Sequence, residues 1–337
     1  MPNQLAAGGL AAAAAERVRH QGLIPRVLAS VESRQVERIR DWDVVSLIGL
    51  YRHSRLGRRI VQASFARRLE TFFECFTDEP KVFREIMRST VTVLSGSACV
   101  RFLRPTDDWE PGDFDFYCSY EGFPRFLAYV RGELGGRVVD HEMVSLQDEI
   151  RGGPPTAGRA LVARGVCDRI RIVLDGVLLD VHRSATETPL TAVAHYTNTL
   201  LTNYVSADVF CIAYPWTFDD AVCIMTDEST PDSRMQEDRY TERGFKVVHA
   251  ARSYWVDTMK YSCVPHGYCP RTERWFGDNG CILMRFGGRE PDDGRLVDNR
   301  FTAMWINGGY PCQTDTCTVV RHRAVTAVST ADSRIPI

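Results

Sequence analysis

Residues 169–182 constrain the fold more tightly than any other stretch of the chain. Two runs of alternating apolar character, 170–174 and 177–181, flank Asp175-Gly176. Asp-Gly favours a type I′ turn, because both central positions need positive φ and these residues tolerate it. The segment is therefore a β-hairpin. Side chains alternate along a strand, so Leu179 and Val181 face inward and Asp180 lies on the opposite face with Leu178 and His182.

The segments around the hairpin read as a mixture of helices and strands. Residues 80–88 suit a helix and 91–94 a short β-branched strand. The turn Ser95-Gly96-Ser97 follows, then a loop over 104–112 rich in Pro, Asp and Trp, and a second alternating strand over 113–119. A helix is expected over 123–134, a flexible Gly/Pro loop over 151–158, a helix over 191–204 and a strand over 209–214. Upstream, residues 6–70 show helical periodicity. Beyond about residue 219 the chain becomes loop-rich, acidic and cysteine-bearing. The expected architecture is α+β, a mixed sheet with flanking helices. Three parts are expected: a helical N-terminal region (1–78), a central α/β domain (79–220) and a loop-rich C-terminal module (221–337).

A chain of 337 residues, 44% apolar, can bury one large or two modest cores, and a net charge of −2 selects no class of partner. No apolar run approaches the ~18 residues of a membrane span. Charge follows the alanine-rich start, at Glu16, Arg17 and Arg19, which is the reverse of a signal peptide. Eleven cysteines, an odd number, argue for reduced thiols over a disulfide scaffold. The expected location is the cytoplasm, with the nucleus as the alternative. Only Lys81, Lys246 and Lys260 are lysines, whereas 38 residues are arginines. Arginine suits bidentate phosphate contacts, although GC-rich codon usage explains the bias more simply. Residues 16–70 hold twelve arginines against six acids. Such a surface could attract nucleic acid, but no aromatic residues are interleaved for stacking, and a solvated helical face explains it as well.

The segment Asp113-Phe114-Asp115-Phe116-Tyr117-Cys118 carries the chemistry. As a strand it puts Asp113 and Asp115 on one face, about 7 Å apart, and Phe114, Phe116 and Cys118 on the other. Two carboxylates so placed repel unless a cation lies between them, and Mg²⁺ (or Mn²⁺) takes such oxygen ligands. Gly96 lets backbone approach a phosphate, Ser97 adds a hydroxyl, and N–H groups point at the anion if a helix begins there. Arg101 and Arg104 are candidate phosphate contacts, although surface residues explain them more simply. With Asp180 as a third carboxylate, these are the requirements of metal-assisted phosphoryl or nucleotidyl transfer.

The order Leu94-Ser95-Gly96-Ser97, Asp113-Phe114-Asp115 and a distal Asp180 resembles the nucleotidyltransferase (DNA polymerase β-like) superfamily. Three further segments are similar to uncharacterised nucleotidyltransferase-like proteins of fungi. They are Trp109-Glu110-Pro111-Gly112-Asp113-Phe114-Asp115-Phe116-Tyr117, Ala213-Tyr214-Pro215 and Tyr240-Thr241-Glu242-Arg243-Gly244-Phe245. The resemblance implies a nucleotidyltransferase-like sheet in which Gly96 and Ser97 contact a nucleoside triphosphate (NTP). It implies that Asp113 and Asp115 hold Mg²⁺, and that Asp180 completes the second metal site and helps activate an acceptor hydroxyl. The fifteen residues between Ser97 and Asp113 exceed the family's usual spacer, so the 104–112 loop must fit beside the pocket.

Cys263, His266, Cys269 and Cys281 fall in order with two, two and eleven residues between them. Pro265, Gly267 and Pro270 supply turns, and four such ligands would suit a structural zinc ion. Buried free thiols, or a Cys269–Cys281 disulfide, are the alternatives. No cysteine has a protease signature, and no G-x-G-x-x-G follows a strand. Three functions remain: Mg²⁺-dependent transfer of a nucleoside monophosphate from NTP to an unknown acceptor (small molecule, protein or RNA); an inactive protein of the same fold that binds or scaffolds; and a nucleic-acid terminal transferase.

Overall fold

A computed structural model of the chain describes residues 34–143, 165–226, 231–249, 268–269, 272–287, 303–307 and 324–326. The described part opens on helical residues 34–38, followed by helices α1 (Val44–His53) and α2 (Arg55–Phe73). Each starts on a side-chain cap: Asp43 accepts from Ser46 N, and Ser54 accepts from Gly57 N. Helix α3 (Pro80–Ser89) leads into strand β1 (Thr92–Ser95), which runs straight into helix α4 (Gly96–Leu103). Strand β2 (Phe114–Cys118) follows the loop, then helix α5 (Phe123–Ala128), which closes in a π-turn over Tyr129–Glu133. Strands β3 (Arg137–Met143), β4 (Val166–Leu174) and β5 (Val177–Ser184) complete the central part. The β4–β5 turn has Asp175 at φ 50° and Gly176 at φ 83°, as the Asp-Gly signature predicts.

The expected helix over 191–204 is mostly absent. Helix α6 spans only Leu190–Ala194, and strand β6 (Asn203–Val205) occupies the end of that segment. Polar side chains win the backbone groups in between. Asn198 Oδ1 accepts from Leu201 N at 2.9 Å, Thr202 Oγ1 donates to the Asn198 carbonyl at 2.8 Å, and Asn203 Nδ2 donates to Leu200 O at 2.7 Å. Strand β7 (Val209–Ile212) and helix α7 (Pro215–Asp219) come next. The described residues beyond 219 include regular elements. They contain β8 (Val222–Ile224), α8 (Pro231–Glu242), β9 (Lys246–Val248), β10 (Glu273–Trp275), β11 (Ile282–Arg285), β12 (Met304–Ile306) and β13 (Ala324–Thr326). Strands of three or four residues are too short to show alternation in sequence. The loop expected over 151–158 lies outside the described residues.

The fold is a mixed α+β arrangement around an eight-stranded sheet of order β11-β7-β6-β1-β2-β5-β4-β3. Neighbours are antiparallel except β2 and β5, which run parallel. One face packs on α2, α3 and α5 through phenylalanines: Phe73, Phe76, Phe83, Phe116 and Phe126 meet at tilted or edge-on angles. The same core cluster runs from Val36 to Phe286. The N-terminal helices and β11 therefore share this cluster with the central strands. A second cluster, with Tyr117, Tyr204, Tyr214 and Trp305, covers part of the other face. Among the described residues, no helix is long and apolar enough to cross a membrane.

Candidate functional site

The site grows out of strand register on the second face of the sheet. Ser95 on β1 pairs with Asp115 on β2, Asp115 with Asp180 on β5, Asp180 with Arg171 on β4, and Arg171 with Asp140 on β3. Two residues along lies a parallel row of Tyr117, His182, Arg169 and Glu142. The alternation that sends Phe114, Phe116, Leu179 and Val181 into the first core thus collects the charged residues on the other side.

Helix α4 begins where this row begins. Gly96 has φ +63°, and a Cβ there would lie 1.9 Å from Asp115 Oδ2. Only glycine permits both the left-handed backbone and that approach. The first turn of α4 has no side-chain cap, because the Ser95 hydroxyl donates to Asn203 O on β6 instead. Its free N–H groups and the helix dipole leave partial positive charge beside Asp115. Ser97 follows in the same turn, 5% exposed.

The three carboxylates differ in their surroundings. Asp113 sits just ahead of β2, and its carboxyl is pushed up to about 6 by burial, reinforced by the charges of Asp115 and Asp180; Arg239 of α8 and Arg171 oppose the shift. Asp180 is 3% exposed and still ionised. Burial works against its charge, but Arg171 binds it through Nε (2.7 Å) and Nη2 (2.9 Å), and Arg169 through Nη2 (2.7 Å), holding its carboxyl below the usual range. Asp115 faces His182, whose Nε2 is 3.4 Å from Oδ1. Ligand atoms of Asp115, Asp180 and His182 all lie within 4.8 Å of one another. The His182 ring stacks on Tyr117 at 4.5 Å, and the Tyr117 hydroxyl meets that of Tyr196 at 2.7 Å. Helix α8 brings Tyr240, buried, and just after its end comes Arg243, whose guanidinium lies 4.1 Å from the Trp109 ring.

Asp113, Asp115, Asp180, Gly96 and Ser97 are therefore gathered where β1, β2 and β5 adjoin, at the middle of the sheet. Arg101 and Arg104 are engaged elsewhere. Arg101 donates to the Arg104 and Pro105 carbonyls and faces Glu110, and Arg104 binds Asp107 and the Phe218 carbonyl. Both arginines hold the 104–112 loop. Of the N-terminal arginines, Arg68 is not a surface residue. It is 7% exposed and donates to the Arg40 and Trp42 carbonyls at 2.6 and 2.9 Å, its basicity lowered to about 10 by burial. An open cleft of about 600 Å³ lies by the apolar side, near Phe72, Phe114 and the Gly176 turn. None of the three carboxylates is among its lining residues.

Cys263 and His266 lie outside the described residues. Cys269 and Cys281 both carry free thiols, so the alternative of a disulfide between them does not hold. The Cys281 thiol lies 3.4 Å from Arg274 Nη2 and interacts with the buried Cys211. His249 pairs with Glu237 at 3.1 Å.

His182, Arg169, Arg171, Tyr196 and Arg239 belong to the site and were not singled out by sequence. The hairpin alternation could have found the first three, which share the face of Asp180. Nothing local in the sequence points to Tyr196 or Arg239. No family model, no curated protein and no solved structure matches the chain.

Proposed function

We propose that this chain is a metal-dependent nucleotidyltransferase, transferring a nucleoside monophosphate from NTP to an acceptor hydroxyl. The observation that carries this reading is the contact of Gly96 with Asp115. It places an uncapped helix start, suited to phosphate, against a strand carboxylate suited to a cation. The donor set fits a divalent ion: Asp113 and Asp115 supply hard oxygens, and the Asp113 carboxyl, raised first by burial and then by the charges of Asp115 and Asp180, is one whose ionised form a dication would favour. Bound there, the ion would neutralise charge on the leaving pyrophosphate.

The residues divide the work as follows. Gly96 and Ser97 receive the triphosphate on the α4 N–H groups. Asp113 and Asp115 fix the ion, and Asp180 lies across from Asp115 on the acceptor side. The acceptor oxygen bonds to the α-phosphorus as the bond to pyrophosphate breaks, and the hydroxyl proton passes to water. Positioning and charge neutralisation account for most catalysis of this kind.

The test is NTP turnover with Mg²⁺ or Mn²⁺, wild type beside Asp113→Ala/Asp115→Ala. Pyrophosphate or labelled product that appears only with metal and intact aspartates supports the reading. A second reading is an inactive protein that binds nucleotide without turning it over. It is favoured by one feature: both Asp180 oxygens are already taken by Arg169 and Arg171. Wild type that binds NTP but releases no pyrophosphate with any metal or candidate acceptor would select this second reading. A terminal transferase is less favoured, since Arg68 is spent internally; a steep loss of RNA affinity with salt is its signature.

A further inference from the structure

The oxygen ligands described above leave His182 without a role, yet its placement is specific. The residue is 8% exposed. Its ring is held flat on Tyr117, with an interplanar angle of 11°, and Tyr117 is itself anchored to Tyr196. In this orientation Nε2 points at Asp115 over 3.4 Å, a long distance for a hydrogen bond. Nδ1 is buried and has no partner. A charged residue is not needed here for stability, because Asp180 already has two arginines. The ring is rigid, its polar atoms are poorly satisfied, and its Nε2 converges with two carboxylates.

Convergence within 4.8 Å is close to what one ion requires. Ligands at roughly 2.0–2.2 Å from a metal lie about 3–4.4 Å from each other, so small side-chain movements suffice. The chemistry of the set then selects the ion. Mg²⁺ takes oxygen in near-ideal octahedral geometry and keeps water, whereas imidazole nitrogen suits first-row transition metals, whose affinities rise along the series from Mn²⁺.

We infer that Asp115, Asp180 and His182 form a mixed nitrogen–oxygen site that takes a first-row transition dication in preference to Mg²⁺. Arg171 is the competitor for this site. Its Nε and Nη2 occupy both oxygens of Asp180, so the ion enters as that guanidinium withdraws. The inference rests on the nucleotidyltransferase reading and names the cation of a second position, beside the one assigned to Asp113 and Asp115; the metal alone tests it without nucleotide.

Calorimetric titration with Co²⁺ and with Mg²⁺ is compared for wild type, His182→Gln and Arg171→Gln. Wild type is expected to bind Co²⁺ about a hundredfold more tightly than Mg²⁺. His182→Gln is expected to lose about tenfold or more for Co²⁺ with little change for Mg²⁺. Arg171→Gln is expected to bind Co²⁺ more tightly than wild type. A measurement on wild type alone removes dependence on variant folding: the Co²⁺-loaded protein should show one exchangeable, paramagnetically shifted imidazole N–H, that of Nδ1. Equal Co²⁺ and Mg²⁺ affinities in wild type, or no shifted imidazole proton, overturn the inference and leave the nucleotidyltransferase reading in place. Wild type that binds neither ion also overturns the inference; the nucleotidyltransferase reading falls separately, if no NTP turns over with metal.

Discussion

On β2, Phe114, Phe116 and Cys118 enter a core of packed phenylalanines, whereas Asp115 and Tyr117 point the other way. Strand β5 repeats the division with Leu179 and Val181 against Asp180 and His182, and β4 with Ile170 and Ile172 against Arg169 and Arg171. The same few residues thus encode two faces of opposite character. One face excludes water from side chains that have only dispersion and hydrophobic terms to offer. The other holds three carboxylates, two arginines and a histidine in mutual reach. Because neighbours on a strand face opposite sides, stability and chemistry can vary separately, and Gly96 is the position where they meet.

The largest expected effect lies on the polar face. Asp115→Asn should lower NTP turnover by about a thousandfold or more, the scale of several kcal/mol of transition-state stabilisation. Its thermal unfolding temperature should match or exceed that of wild type. A parallel fall in stability would break the separation of the two faces. Next is the apolar face. Phe116 is fully buried, and Phe116→Ala should cost about 3–5 kcal/mol in urea unfolding, while metal affinity of the folded fraction stays unchanged. Loss of metal binding in fully folded Phe116→Ala would show that the faces are coupled.

Gly96→Ala should affect both readouts. A left-handed alanine costs about 1–2 kcal/mol, and its Cβ would displace the Asp115 carboxylate, so dication affinity should fall with stability. Unchanged affinity would mean that the close contact between Gly96 and Asp115 does not matter to the site. The smallest effect concerns Asp113 and depends on pH. Its native carboxyl is raised from the ordinary 3.8 to about 6, chiefly by burial and then by Asp115 and Asp180. The native state therefore holds this proton more firmly than the unfolded chain, and its contribution is most favourable below pH ~4 and is lost as pH rises through about 6. Asp113→Asn should accordingly stabilise the metal-free protein at pH 8 and have little effect at pH 4, by chemical unfolding at both. Equal effects at the two pH values would contradict the raised carboxyl.

Much of this comparison can be read from sequence, because strand alternation is local. The Asp-Gly turn follows from its need for positive φ, and the two faces of β2 and the inward Leu179 and Val181 from period two. The helix start at Gly96 is conditional in sequence and present in the structure. What sequence conceals is pairing between strands. Nothing local says that β2 and β5 run parallel with Asp115 opposite Asp180, or that Arg171 then lies on Asp180. Arg101 and Arg104 illustrate the same limit, since their nearness to the motif reads as phosphate binding while their guanidinium groups hold loop carbonyls and Asp107. The residues over 191–204 have helical periodicity, but Asn198, Thr202 and Asn203 bond the backbone into turns instead.

The most direct test of the central claim is to locate a metal and a triphosphate together. Crystals grown with Mn²⁺ and a non-hydrolysable NTP analogue would be measured for anomalous scattering at the manganese edge. The account predicts a peak coordinated by carboxylate oxygens of Asp113 and Asp115, with phosphate oxygens within hydrogen-bond distance of the first N–H groups of α4. Metal and nucleotide bound away from this face, with Asp180 still clasped by Arg169 and Arg171, would contradict it.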